Sequence, residues 1–217
     1  MKERRDNTSA FVIGGGPSLQ GFDFSKLSNR HTIGVNKSFL SLPDLEYFIT
    51  VDFTFFNKIN RKLYKKHPAK KFFVADLSYS YLKEIDGRIV DTRFNLVYRL
   101  NDFDTIIKSR RKDGLGLSYD DFRTGKNSGY CALQLAIVLG FRKIYLLGFD
   151  LCTNNSTHYH NGYGESISNF NKKLNEYFLF FESGLADIKK KSDIEIFSCS
   201  KISLLNNIIP YVDEREI

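Results

Sequence analysis

The chain has 217 residues, of which 42% are apolar and 26% charged; these are ordinary values for a globular domain and exclude fibrous, collagen-like and disordered classes. Its 32 Lys and Arg against 25 Asp and Glu give a formal charge of +7, which favours anionic partners such as nucleotides, an acidic glycolipid surface or nucleic acid without choosing among them. Cys131, Cys152 and Cys199 are odd in number and form no CxxC pair, so they are expected as reduced thiols rather than a disulfide framework or a zinc site.

Residues 1–7 are charged and carry no apolar core or small-residue cleavage site, so no signal peptide is expected. The longest mostly apolar stretch, 137–149, is broken by Arg142 and Lys143, and it falls short of the roughly 20 residues a membrane-spanning helix needs. A cytoplasmic protein without an integral membrane segment is expected, peripheral contact with a membrane surface staying open. The sequence does not specify an oligomeric state.

Residues 10–13 form a short apolar run stopped by Gly14-Gly15-Gly16-Pro17-Ser18, which predicts a strand, a tight loop and a short helix. Two more β-rich runs, 32–35 and 47–51, end at the polar residues Asn36 and Asp52, where an open α/β sheet places its ligand contacts. Residues 53–66 have helical spacing, and 71–74 supply a fourth strand. The stretch 76–126 lacks a clean period and is expected as a less regular insertion, with a strand pair in 88–100, outside the main sheet.

Residues 128–140 give the clearest helix, with Ala132, Leu135, Ala136 and Leu139 on one face, Asn127 or Ser128 at its N-cap and Gly140 at its stop. Strand 144–147 follows at once and ends in Gly148-Phe149-Asp150. A long amphipathic helix over 167–191, a strand over 194–197 and one or two helical turns over 202–208 complete the chain. The alternation predicts one Rossmann-like α/β domain over residues 1–217, a mostly parallel sheet with helices on both faces.

Glycines without Cβ let backbone N–H groups approach an anion, so Gly14, Gly15, Gly16 and Ser18 are candidate nucleotide contacts, a structural turn being the alternative. No Lys-Ser/Thr pair completes a P-loop, and Pro17 stands where a dinucleotide loop would enter its helix. Asn127-Ser128-Gly129 opens the best helix, whose free N–H groups suit a carboxylate or phosphate, simple capping being the alternative. His158 and His160 lie past the strand-terminal Asp150, where a side chain titrating near neutrality can serve as general base. A metal held by Asp150 and these histidines is a weak spacing signal. No Gly-x-Ser-x-Gly elbow supports a hydrolase, and no RNP-like strand or helix-turn-helix supports nucleic-acid binding.

Four segments, 11–19 (FVIGGGPSL), 33–36 (IGVN), 127–150 (NSGYCALQLAIVLGFRKIYLLGFD) and 197–206 (FSCSKISLLN), together resemble the bacterial sialyltransferases of glycosyltransferase family 42. They also resemble the related domain of motility-associated factors and archaeal hydroxymethylpterin pyrophosphokinase. The resemblance implies a Rossmann-like domain that takes a CMP-sugar or other nucleotide and moves a nonulosonic, sialic-acid-like sugar to a glycan hydroxyl with inversion. Neither a metal nor a cofactor is implied. Gly14 to Ser18 would meet the nucleotide, and Asn36 and Ser128 the donor sugar and its carboxylate, with Asn127, Gly129 and Asp150 beside them. His160 or His158 would be the base and Tyr159 a donor to the leaving phosphate.

The chain departs from that pattern at three points. Asp52 falls where the sialyltransferases carry Asn, the family's two phosphate-binding tyrosines fall at Cys152 and near 158–159, and the lid after Asp150 is short. Two rival readings therefore stand beside the first. In a magnesium-dependent pterin pyrophosphokinase-like enzyme the glycine loop would hold ATP, and Asp52 and Asp150 the metal; the other is a nucleotide-binding module without chemistry.

Overall fold

A computed structural model describes residues 9–52, 61–86, 88–92, 96–97 and 103–217. Along the chain run β1 (Ser9–Ile13), β2 (His31–Val35), β3 (Tyr47–Thr50), α1 (Arg61–Lys66), β4 (Lys70–Asp76), β5 (Leu82–Ile85), β6 (Arg88–Asp91), β7 (Leu96–Val97) and β8 (Thr105–Ser109). They are followed by α2 (Ser128–Val138), β9 (Lys143–Leu147), α3 (Ile167–Lys191) and β10 (Glu195–Ser198). Seven strands form one sheet in the order β10-β9-β1-β2-β3-β4-β8, and every pairing in it is parallel. Strands β5, β6 and β7 make a separate antiparallel sheet.

The central strands are apolar runs because both faces of the sheet are covered. Ala10, Val12, Ile33, Ile49, Phe72, Val74, Ile144 and Leu146 pack in one buried cluster with the apolar residues of α2 and α3. Their strand neighbours Phe11, Ile13, Phe48 and Leu147 join a second cluster with Leu19, Leu27, Phe39 and Tyr64. Helices were expected on both faces, and the coverage is unequal: both long helices take the first face. The other is covered by α1 and by 3-10 turns at Pro17–Leu19, Phe24–Leu27 and Asn36–Leu40.

The six expected strands are present within a residue or two, and the sheet gains a seventh, β8, from the stretch read as an insertion outside it. This edge strand pairs with β4 alone and mixes partly exposed, exposed and buried positions, so no apolar run marks it. The strand pair expected in 88–100 is a three-stranded sheet that starts earlier, at Leu82. The short helices expected after the glycines and over 202–208 are 3-10 turns, the latter at Leu204–Asn207. Of the expected helix over 53–66, residues 61–66 are helical and 53–60 lie outside the described residues. No described helix is long and apolar enough to cross a membrane.

Helix α2 is apolar all round because it is sandwiched between the sheet and α3, nine of its residues being buried. Asn127 caps it by accepting the Tyr130 N–H at 2.8 Å. The Tyr130 ring packs edge-on against Phe181 of α3 at 5.2 Å and its hydroxyl donates to the Gly114 carbonyl at 2.6 Å. A Cβ on Gly184 would lie 2.2 Å from that hydroxyl, so α3 can cross here only with a glycine.

From β1 the chain moves outward through β2, β3 and β4 to β8, then returns through α2 to place β9 on the other side of β1. Strand order therefore reverses between β1 and β9. Beyond the C-terminal ends of two such strands the connections diverge and leave a crevice.

Candidate functional site

The loops leaving β1 and β9 interlock across that reversal. Gly14 N–H donates to the Leu147 carbonyl and Gly16 N–H to the Gly148 carbonyl, both at 2.8 Å. A Cβ on Gly14 would stand 2.6 Å from the Gly148 oxygen, and one on Gly16 2.5 Å from an Asp150 carboxylate oxygen. The glycines thus permit a close approach of backbone to backbone, and two of the N–H groups expected to meet an anion are taken up by the last residue of β9 and the one after it. Asp150, 1% exposed, accepts the Ser18 N–H at 2.8 Å and the Ser18 hydroxyl at 2.5 Å, one on each oxygen.

Above this junction opens a cleft of about 570 Å³, within the range of small-molecule sites. It is lined by Gly14, Gly15, Gly16, Asn36, Asp52, Asn127, Ser128, Gly129, Asp150 and His158, all singled out in the sequence. Ser18, Tyr159 and His160 do not line it. Asn36 adopts a left-handed backbone (φ 51°) that Asn tolerates better than other side chains, and its side-chain amide oxygen Oδ1 accepts from the Thr50 hydroxyl at 2.7 Å. The Ser128 hydroxyl accepts the Val51 N–H at 3.1 Å, tying the start of α2 to the end of β3.

Of six described non-glycine residues with positive φ, three line the cleft: Asn36, Lys126 and Leu151. Lys and Leu gain nothing from that conformation, and such backbone strain gathers at ligand sites.

The segment after Asp150 folds back over the glycine loop. Tyr159 N–H donates to the Gly15 carbonyl at 3.1 Å, and a Cβ on Gly15 would lie 2.9 Å from the His158 ring. His158 stacks on His160 with centroids 5.0 Å apart and lies against Phe170 of α3 at 4.8 Å. Burial pushes the His158 imidazole down to about 4, His160 and Lys37 adding to the effect, while burial also lowers His160. Residues two apart stack here, so that His158 lines the cleft while His160, the other expected base, lies behind it. Tyr159, expected as a donor to the leaving phosphate, has its hydroxyl turned to Ser41 at 3.1 Å, where the ring packs against the second core cluster.

The sequence reading missed four phenols and two amines in the lining: Tyr79, Tyr81, Tyr163, Tyr177, Lys126 and Lys173. Tyr163 hydrogen-bonds the Lys37 backbone and the Asn36 side chain, and burial raises its pKa; burial pushes Tyr177 up to about 12. Phe170, Lys173, Leu174, Tyr177 and Phe181 line the cleft from one face of α3. Their helical spacing is visible in the sequence, but core stripes have the same spacing.

The overall positive charge does not reside here. The lining holds Asp52, Asp76, Asp150 and Glu165 against Lys126 and Lys173. Asp76 accepts from Ser78 and Thr124, Glu165 pairs with Lys173 at 2.7 Å, and Lys126 pairs with Glu176 at 2.6 Å. Among the described residues no three His, Cys, Asp or Glu side chains are grouped to hold a metal ion. Asp150, read as a ligand with Asp52 or the histidines, gives both its oxygens to Ser18. Cys152 lines the cleft with a thiol raised by burial, while Cys131 and Cys199 are buried and likewise raised.

The fold is shared with solved sialyltransferases of Campylobacter jejuni. CstII in complex with cytidine-5'-monophosphate superposes with a TM-score of 0.52 at 17% identity, over 94% of this chain and 85% of that one. Monofunctional α-2,3-sialyltransferase Cst-I gives 0.55 at 13% identity, over 95% and 81%. CstII in complex with a trisaccharide acceptor and CMP gives 0.51 at 17%, over 94% and 86%. No family model and no curated protein matches the chain, so the resemblance to motility-associated factors and pterin pyrophosphokinase has no counterpart in these comparisons.

Proposed function

We propose that this protein is a sialyltransferase-like glycosyltransferase that moves a nonulosonic sugar from a CMP-sugar to a glycan hydroxyl, with inversion and without a metal. The observation that carries this reading is the convergence of Gly14–Gly16, Asn36, Ser128 and His158 on one cleft at the β1/β9 reversal. The solved structures of the same fold include complexes with CMP and with an acceptor trisaccharide.

In this reading the donor lies across the glycine loop, with its carboxylate at the start of α2. Ser128 accepts the Val51 N–H, and its own O–H serves as a donor to the ligand. His158, neutral at physiological pH because burial lowers it, takes the acceptor proton as the hydroxyl oxygen attacks the anomeric carbon. The bond from that carbon to the CMP phosphate oxygen breaks on the opposite face, and the phosphate leaves with the bonding pair. The donor's negative charge beside His158 raises its proton affinity in the complex, moving a weak base towards the useful range. Tyr163, on the same segment and in the lining, donates to the leaving phosphate in the role first given to Tyr159.

The test combines thermal shift and turnover. Stabilisation by CMP, with transfer from a CMP-sugar that persists in EDTA, is the expected result. Stabilisation by ATP only with magnesium would support the pyrophosphokinase-like reading, and CMP binding without transfer to any acceptor would support a non-catalytic module.

A further inference from the structure

We infer that Lys37 is a positioning residue for His158: its ammonium fastens the histidine segment over the glycine loop through the Asn161 and Gly162 carbonyls and the Tyr163 ring. Residues 151–166 contain no helix or strand, so their placement depends on a few individual contacts. Lys37 sits in the 3-10 turn Asn36–Leu40, next to the cleft residue Asn36. Its Nζ donates to the Asn161 carbonyl at 2.8 Å and the Gly162 carbonyl at 2.9 Å, and stands over the Tyr163 ring at 4.5 Å. One amine thus holds three consecutive residues of the segment and adds a cation–π contact.

The same charge acts on the histidines. His158 is faced by His160 and Tyr163 within its own segment, by Phe170 from α3, by Gly15 from the glycine loop and by the Lys37 charge from the turn after β2. Of these, only His160 and Lys37 oppose a proton on His158 by charge, and Lys37 lowers His160 as well. A partly buried ammonium next to an imidazole raises the cost of a second positive charge. The tether keeps the base in a fixed place, while the charge keeps it unprotonated until the donor's negative charge raises its proton affinity. Only the catalytic use of His158 rests on the transferase reading; the tether and the titration are properties of the protein without ligand.

Three substitutions separate the two effects. Lys37→Met removes both the charge and the donors, Lys37→Gln keeps an N–H donor without charge, and Lys37→Arg keeps charge and donors. Each protein, free of ligand, is followed by imidazole NMR titration and by amide hydrogen exchange of residues 157–163. The His158 titration is expected to rise from its lowered value in the Met and Gln variants and to stay low in Arg. Exchange of the Tyr159 amide, which donates to the Gly15 carbonyl, is expected to quicken about tenfold or more in Met and less in Gln. An unchanged His158 titration in Gln would overturn the electrostatic role, and unchanged exchange in Met the tether; if Met does not fold, the Gln and Arg titrations still decide the first and Gln exchange the second. Absence of transferase activity in the wild type would count against the proposed reaction and leave these readouts intact.

Discussion

Asp150 holds Ser18 at two points, accepting its backbone N–H on one carboxylate oxygen at 2.8 Å and its hydroxyl on the other at 2.5 Å. This contact joins the end of β9 to the turn after β1 across the strand reversal, with Asp150 only 1% exposed. Asp150→Asn keeps the shape but presents an amide N–H₂ to one of two donors. The variant is expected to lose about 1–3 kcal/mol, the usual range for a buried donor left unpaired, read as a fall of roughly 2–10 °C in Tm. Ser18→Ala removes only the hydroxyl and is expected to cost less. Equal melting of Asp150→Asn and wild type would show that the clasp does not support the junction.

Gly16→Ala is expected to destabilise by about 2 kcal/mol or more, or to give no folded protein, because a steric clash at a backbone carbonyl cannot relax cheaply. Its Cβ would meet the Asp150 carboxylate at 2.5 Å and the Gly148 carbonyl at 2.6 Å. Gly21 is the comparison: a Cβ there meets nothing within 4 Å, but φ is +79°, so Gly21→Ala is expected to cost only about 1 kcal/mol of backbone strain. Urea denaturation of both variants separates lack of space from lack of conformational freedom. A larger loss in Gly21→Ala would contradict the close-approach account.

The strands were legible because parallel strands covered on both faces must be apolar throughout, as at 10–13 and 144–147, and because polar residues just after them mark the sheet's C-terminal edge. Asn36, Asp52 and Asp150 were found that way. β8 was not, since an edge strand with one partner tolerates Lys108 at an exposed position. The contributions of α3 to the cleft, Lys173 and Tyr177, share the spacing of core residues Leu174 and Phe181, and sequence spacing does not separate a cleft-facing position from a buried one. Tyr163 lies in a segment without any period, so only the tertiary contacts with Asn36 and Lys37 reveal it.

Acid should weaken the fold through the same histidine segment. The folded-state value of His158, about 4, lies below the ordinary imidazole value of 6.5, so the unfolded chain binds the proton first as pH falls. Its contribution to stability is therefore complete above about pH 6.5 and is lost as pH drops towards 4, by roughly 1–3 kcal/mol once partial exposure is allowed for. His160, also lowered by burial, acts in the same direction. Urea midpoints at pH 7 and pH 4.5 are expected to differ more in the wild type than in a His158→Gln, His160→Gln double variant. An equal difference in the two proteins would locate the acid sensitivity elsewhere.

The two histidines are expected to differ in catalysis, if transfer from a CMP-sugar is the reaction. His158 lines the cleft and His160 does not, although the rings stack with centroids 5.0 Å apart. His158→Ala is expected to lower turnover by about 10²- to 10⁴-fold, the usual scale for a lost general base, with CMP affinity largely kept. His160→Ala removes a ring that supports His158 without touching the reacting atoms, so a smaller loss is expected, on the order of tenfold or less. A bare loss of activity would not distinguish a missing base from a displaced segment, which is why both variants are to be compared at several pH values. Loss of the acid limb of the kcat/KM profile in His158→Ala, and its retention in His160→Ala, is the pattern that assigns the base to His158. The reverse pattern would return the role to His160 and require the segment to rotate when ligand binds.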